Sequence, residues 1–331
     1  MSQIQDQLRR RVAELLDAKT LDLFLGYERS DLPLKTAARF VRTAEEAERL
    51  VWDRTCTSNL AALLPAVFKK PEGIRGEWTP PRVGILVKGC VSRSIVGLIK
   101  AHQVPRDGLH LVGVGCEGMI DRHRASQLVG SAEIAEAMFE GDSVRLRATD
   151  GTEKTVAANE LLAASCAVCR FRDAVLADET IGDPAATVEG ADRYTPVAAF
   201  EAQSAQERWD AFVAEVSRCV RCYACREACP NCYCTECFAE ETEPKWIGVT
   251  TELSDLMLFH LGRAYHQAGR CVDCGACVAA CPQGIDLRLL NQKINQDVEA
   301  LFGGDVSLSL EELDPLCRFT MDDDQGFMTE P

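Results

Sequence analysis

The sequence predicts an α/β domain followed by an all-α domain built around two cysteine runs. Three observations carry that expectation. Residues 82–115 alternate between short apolar runs and one amphipathic stretch, as in a βαβ unit. The C-terminal half contains Cys219-Val-Arg-Cys222-Tyr-Ala-Cys225-Arg-Glu-Ala-Cys229-Pro230 and, later, Cys271-Val-Asp-Cys274-Gly-Ala-Cys277-Val-Ala-Ala-Cys281-Pro282. Between and after these runs, apolar residues recur at helical spacing.

The chain divides into five expected parts. Residues 1–80 form a helical N-terminal segment packed on the α/β domain. An amphipathic helix covers residues 3–18, with Ile4, Leu8, Val12, Leu15 and Leu16 on one face. A short strand follows at Leu21–Tyr27, then helices over 43–51 and 58–69, with Cys56 between them. Residues 71–81 are rich in Pro and Gly and read as a boundary. The α/β domain spans 81–183. Val83–Val87 is a buried strand, Lys88-Gly89-Cys90 a turn, Ser92–His102 a helix and Leu109–Val114 the next parallel strand. Cys90 and Cys116 therefore follow strand ends, where α/β sheets place their ligands. Residues 143–157 read as a hairpin about Asp150-Gly151. Residues 184–200 read as a linker. The helical domain spans 201–302, with helices over 201–218, 251–269 and 287–301. Residues 303–331 form an acidic tail that includes Asp322–Asp324 and reads as a mobile or interaction segment.

Composition excludes several functions. The formal net charge of −15 argues against a nucleic-acid partner, which needs clustered Lys and Arg. No apolar run reaches the roughly 18 residues of a membrane span, and the polar start Met1-Ser-Gln-Ile-Gln-Asp-Gln lacks a signal-peptide core. A cytoplasmic location is the expectation. Seventeen cysteines in such a chain point to metal ligands, not disulfides. No Ser-His-acid set or HExxH motif offers hydrolytic chemistry.

Each cysteine run has the form C-x2-C-x2-C-x3-C-P, the ligand pattern of two-cluster ferredoxins. Three thiolates of one run hold one 4Fe-4S cluster, and the fourth reaches the other cluster. The expected sets are Cys219, Cys222, Cys225 and Cys281 for the first cluster, and Cys271, Cys274, Cys277 and Cys229 for the second. Zinc knuckles, giving a zinc-stabilised interaction module, are the non-redox alternative. A further group, Cys232, Cys234 and Cys237, follows the first run immediately, and no ferredoxin pattern explains it. Its expected fourth ligand is Cys56, for a fourth cluster or zinc. The remaining unassigned cysteine is Cys317, and a partner's ligand or a redox-active thiol set are the other readings.

Arg218, Arg221, Arg226 and Arg270 flank the runs and either raise cluster potentials or pair with nearby acids. Gly113-Val-Gly115-Cys-Glu-Gly118 matches GxGxxG after a strand, but the stretch after it, from Asp121-Arg-His-Arg, is a poor dinucleotide-binding helix.

Scattered cysteines Cys90, Cys116, Cys166 and Cys169 are by spacing alone either core residues or a metal site. Their motif order decides the expectation. Lys88-Gly-Cys90-Val-Ser-Arg-Ser-Ile-Val96, Val112-Gly-Val-Gly-Cys116-Glu-Gly118, and Cys166-Ala-Val-Cys169 with Ala177-Asp178-Glu-Thr-Ile-Gly182 follow one another. This order resembles the beta subunits of coenzyme F-420-reducing hydrogenases and related formate dehydrogenases, over about residues 80–185. The resemblance implies a hydrogenase/dehydrogenase beta-subunit-like α/β domain. It also implies a third 4Fe-4S cluster on Cys90, Cys116, Cys166 and Cys169, near an FAD. Gly89 departs from the family's proline at that place. The region of about 205–300 resembles the two-cluster C subunit of heterodisulfide reductase.

The expected function is an iron–sulfur electron-transfer subunit of a multi-subunit oxidoreductase of anaerobic metabolism. Its expected partners are a heterodisulfide reductase-like flavoprotein, a hydrogenase or a formate dehydrogenase. The alternative is a flavin-dependent oxidoreductase acting on a deazaflavin or nicotinamide cofactor.

Overall fold

A computed structural model describes residues 3–130, 133–186, 192–318 and 321. Helix α1 (Gln3–Asp17) buries Leu8, Val12, Leu15 and Leu16 along one stripe, as its spacing requires. Strands β1 (Leu23–Arg29) and β2 (Thr36–Val41) then form an antiparallel pair. Residues 1–80 are thus not simply a helical segment, because they supply two strands of the main sheet. The helix expected over 43–51 shrinks to α2 (Ala44–Ala47), capped by Thr43. It ends early because Val51 N donates to Tyr27 O at 2.8 Å, drawing the chain back to β1. The helix expected over 58–69 is a tight turn at Leu60–Leu63, capped by Asn59, that runs into α3 (Leu64–Phe68) at Pro65.

Strand β3 (Val83–Val87) is buried throughout. It lies between β1 and β4 (Leu109–Val114), parallel to both, which explains its unbroken apolar run. Helix α4 (Gly89–Lys100) connects β3 to β4 and starts earlier than expected, so Cys90 sits in its first turn. A short helix, α5 (Arg122–Leu128), is capped by Asp121. Strands β5 (Ile134–Glu140), β6 (Ser143–Ala148) and β7 (Glu153–Ala157) form a separate antiparallel sheet in the order β5-β6-β7. The expected hairpin is there, with β5 added on its outer side.

After α6 (Ala164–Ala167), strand β8 (Glu179–Ile181) joins the main sheet parallel to β4, completing the order β2-β1-β3-β4-β8. The Ala177-Asp178 motif makes this edge. Asp178 accepts from Leu111 N at 2.8 Å and pairs with Arg106.

Residues 195–216 do not form linker and one long helix. They form α7 (Thr195–Glu201) and α8 (Ala205–Val216), separated by a Ser204–Glu207 capping box. Between 201 and 302 every described regular element is helical. These are the end of α7, α8, α9 (Ala224–Glu227), α10 (Leu253–His266), α11 (Ala276–Ala279) and α12 (Arg288–Phe302). Helix α10 packs on α8 and α12, and α9 on α11.

The first part of the tail does not stand apart from the fold. Arg93 of α4 pairs with Asp305 at 2.7 Å, and Lys100 with Asp314 at 2.9 Å. Asp322–Asp324 lie outside the described residues. No helix among the described residues is long and apolar enough to cross a membrane.

Candidate metal centres

The two cysteine runs fold as copies. Arg221 and Tyr223 in the first, and Asp273 and Gly275 in the second, occupy equivalent places, and all four are left-handed, with φ of 52°, 60°, 55° and 72°. Three of the four carry a side chain, so the loop geometry is held against a cost of roughly 1–2 kcal/mol at each. Alternating left-handed residues turn successive thiols and amides toward one side. Arg221 N donates to Cys219 Sγ at 3.3 Å, and Ile285 N to Cys281 Sγ at 3.4 Å.

The structure brings Cys219, Cys222, Cys225 and Cys281 to the wall of one small cavity, closed on one side by Phe259 and His260. The fourth cysteine of the second run thus meets the first three of the first run. The charges of Cys274 and Cys277 raise Cys271, and that of Cys274 raises Cys277 and Cys229 as well, so these thiols lie close together. Burial comes first in pushing the Cys271 and Cys277 thiols up, Cys277 to about 12. Such thiols keep their protons unless iron replaces them.

Buried donors point to an absent acceptor at these sites. Nε of Arg263 and Nη2 of Arg221 are buried donors with no partner among the described residues, and neither ring nitrogen of His260, one of which carries the N–H, has a partner there. Arg263 lies between the two sets, acting on Cys229, Cys225, Cys277 and Cys232, and donates to Cys225 O at 2.9 Å. Burial first, then Arg263 and Arg221, lowers His260 to about 4, so the ring is neutral at physiological pH. A cluster's sulfurs would accept from such donors, and the cysteine sets therefore fit 4Fe-4S clusters. The clusters would supply one-electron storage.

His260 and Arg263 were not marked by the sequence. They lie three apart on the apolar face of α10, with Leu256 and Phe259, and polar residues within an apolar stripe were the available signal. Of the flanking arginines, Arg218 pairs with Glu215, and Arg226 with Glu227 and Glu240. Arg221 instead lies over the Phe259 ring at 5.2 Å.

Cys90, Cys116, Cys166 and Cys169 line a cavity of about 610 Å³ between the α/β domain and the ferredoxin-like region, and Cys274 and Cys281 line it too. Burial pushes Cys90 up, Lys88 opposes it, and the charges of Cys274, Cys116 and Cys169 reinforce it. Lys88 is buried beneath this set, donates to Cys56 O and lies over the Tyr27 ring at 5.5 Å. Burial alone would discharge it, but Tyr27, Cys90, Cys116 and Cys56 together raise it. Gly89 admits no side chain here, since a Cβ would stand 1.8 Å from Phe171 O. That contact seats the first turn of α4 against the Cys166–Phe171 segment. Arg172 binds both neighbours, donating to Cys116 O at 3.4 Å and to Cys166 O at 3.3 Å.

Cys56 takes no part in these sets. It is fully buried in the α/β core, with its Sγ 3.8 Å from Val51 O, and burial raises its thiol to about 12. It does not line the cavity of about 590 Å³ that holds Cys232, Cys234 and Cys237, whereas Cys317 does. Cys56 lies instead in the packed turn after α2, within the α/β core, while the tail doubles back. Cys232 adjoins the second ferredoxin set through Gln267, which accepts from Cys229 Sγ at 3.6 Å and donates to Cys232 Sγ at 3.7 Å.

Residues 215–285 match the family described as "4Fe-4S dicluster domain". The chain is 20% identical to the "F420-dependent formate dehydrogenase subunit beta" of Methanocaldococcus jannaschii, over 87% of this chain and 88% of that protein. The part of the chain that carries both cysteine runs is thus a 4Fe-4S dicluster domain. A solved structure titled "Xenon derivatization of the F420-reducing NiFe hydrogenase complex from Methanosarcina barkeri" aligns with a TM-score of 0.37 and 14% identity, covering 63% of this chain and 84% of that one.

The GxGxxG match has a packing role. A Cβ on Gly115 would stand 2.8 Å from Asp183 O, so the glycine admits the segment returning after β8. The helix that follows, α5, starts only at Arg122, away from the glycines.

Proposed function

We propose that the chain relays electrons within a cytoplasmic multi-subunit oxidoreductase, between an α/β site at Cys90 and a partner subunit reached through the ferredoxin sites. A heterodisulfide reductase-like flavoprotein, a hydrogenase or a formate dehydrogenase is the partner. The observation that carries this reading is the shared cavity, lined by Cys90, Cys116, Cys166 and Cys169 and also by Cys274 and Cys281. Under this reading the first four hold the third cluster, and the last two are one ligand of each ferredoxin cluster. Arg263 and Lys88 contribute buried positive charge beside thiolate sets that would otherwise repel one another.

A second reading, a flavin-dependent oxidoreductase of a deazaflavin or nicotinamide cofactor, is favoured by the rest of that cavity. Its remaining wall carries Lys35, Arg122, Arg124 and Arg172, cations suited to a flavin dinucleotide's phosphates. Under this reading FAD binds there, and the residues' part is to hold its charged end.

Anaerobic purification with iron, sulfide and flavin counting tests both. The relay requires about 12 irons for the three sites (four per cubane). Zinc with little iron would sink it and favour a structural module. Flavin that bleaches with a reduced deazaflavin or nicotinamide supports the second reading, and full iron without flavin defeats it.

A further inference from the structure

We propose that Cys232, Cys234, Cys237 and Cys317 hold a fourth 4Fe-4S cluster. All four line one cavity of about 590 Å³. Cys234 and Cys317 are exposed, so they are not the small buried hydrophobes that free cysteines usually are. Among the described residues, no three His, Cys, Asp or Glu side chains converge as one ion requires. The four thiols instead share the lining of one cavity, which has room for a larger group.

The tail is built to deliver Cys317. Lys100 clamps Asp314 at 2.9 Å, and Ser307 N donates to the same carboxylate at 3.1 Å. The next residues form a tight turn, Pro315–Cys317, seated on α12. Leu316 lies over Gly269, where a Cβ would stand only 3.1 Å from it. Arg226, Arg263 and Arg270 border the cavity, so cations face four thiolates. Glu240 and Glu227 engage Arg226.

Cys232 meets Cys229 of the second ferredoxin set through Gln267. The fourth cluster therefore adjoins the second and opens toward solvent at Cys234 and Cys317. An electron arriving there leaves the neighbouring cluster oxidised by one and this one reduced by one. Its place as the outlet to a partner rests on the relay reading, whereas its existence does not.

Full-length protein, purified anaerobically or reconstituted with iron and sulfide, decides the matter. Wild type should hold about 16 irons, and Cys317→Ala and Cys234→Ala each about 12. The Cys56→Ala variant should keep all of them. Matching losses of sulfide, with the spectra of the other reduced clusters retained, confirm the site. Unchanged iron in both variants, or loss of one zinc and no iron, overturns it. A wild-type count of about 12 that neither variant lowers defeats the fourth cluster while leaving the three-cluster relay standing.

Discussion

Replacing Asp305 by Asn should release the C-terminal segment from the α/β domain. Its carboxylate accepts from Arg93 at 2.7 Å, Arg170 at 2.7 Å, Arg193 at 3.2 Å and Val306 N at 2.7 Å. The Arg93 and Asp305 side chains are only 4% and 9% exposed, so Asn leaves a buried guanidinium without its counter-charge. Breaking such a pair costs about 3–5 kcal/mol. Arg93 keeps the Val306 carbonyl, at 2.6 and 3.1 Å, which places the loss near the lower end, about 3 kcal/mol. At about 1.4 kcal/mol per tenfold, opening of 303–318 should become on the order of 100-fold more frequent.

Hydrogen exchange of the anaerobic holoprotein, read by mass spectrometry over that segment, measures this opening. The comparison is Glu136→Gln, which removes a pair with Arg147 whose side chains are 57% and 47% exposed. That change should cost under about 1 kcal/mol. Exchange in the Asp305→Asn segment within about threefold of wild type would refute the reasoning, because ~3 kcal/mol demands far more. Burial tends to raise the Asp305 carboxyl, but Arg93 and Arg193 outweigh it and hold it below the ordinary value. Its folded pKa is depressed, so its stabilisation is complete above the unfolded value of about 3.9 and is lost as pH falls through the lower folded one. The exchange difference between the two proteins should therefore be constant from about pH 5 to pH 9.

Lys88→Met should lower the reduction potential of the site at Cys90 and Cys116. Removing that buried charge is worth on the order of 1 kcal/mol, or about 40 mV for one electron, and a redox titration followed by EPR would record it. A potential that stays put would mean Lys88 does not sense the cluster. Gly89→Ala forces a Cβ into Phe171 O and should cost about four irons with the ferredoxin signals intact, read by iron analysis and EPR. Stripping iron with an oxidant and chelator should abolish amide protection over 219–285 and spare β1, β3 and β4. The buried cluster around Ile247, Phe259, Ile285 and Leu287 is small and includes two cysteines of the proposed ligand sets, whereas the sheet has its own large core. Equal loss of protection in both parts would contradict that division.

The βαβ unit, the amphipathic first helix and the paired ferredoxin loops could be read from the sequence because their information is local. A buried central strand must be apolar throughout, and Val83–Val87 is. Strands β2, β5 and β8 were not anticipated. In β2 a buried Thr36 starts a strand whose middle is only partly covered, β5 is mostly exposed, and β8 has three residues, so none shows a clean alternation. The tail's acidic composition suggested a free segment. Its docking depends on Arg93 and Lys100, which lie over 200 positions earlier.

The same division holds at the metal centres. The x2 spacing by itself fixed the two cysteine runs, because three thiols within seven residues can reach one centre through a local turn. Nothing local joins Cys90 to Cys274, orients His260 and Arg263 toward the thiols, or chooses Cys317 over Cys56 beside Cys232. Those choices belong to the tertiary structure. Packing decides which turn is sealed in the core, as at Cys56, and which distant segment is folded back to an open cavity, as at Cys317.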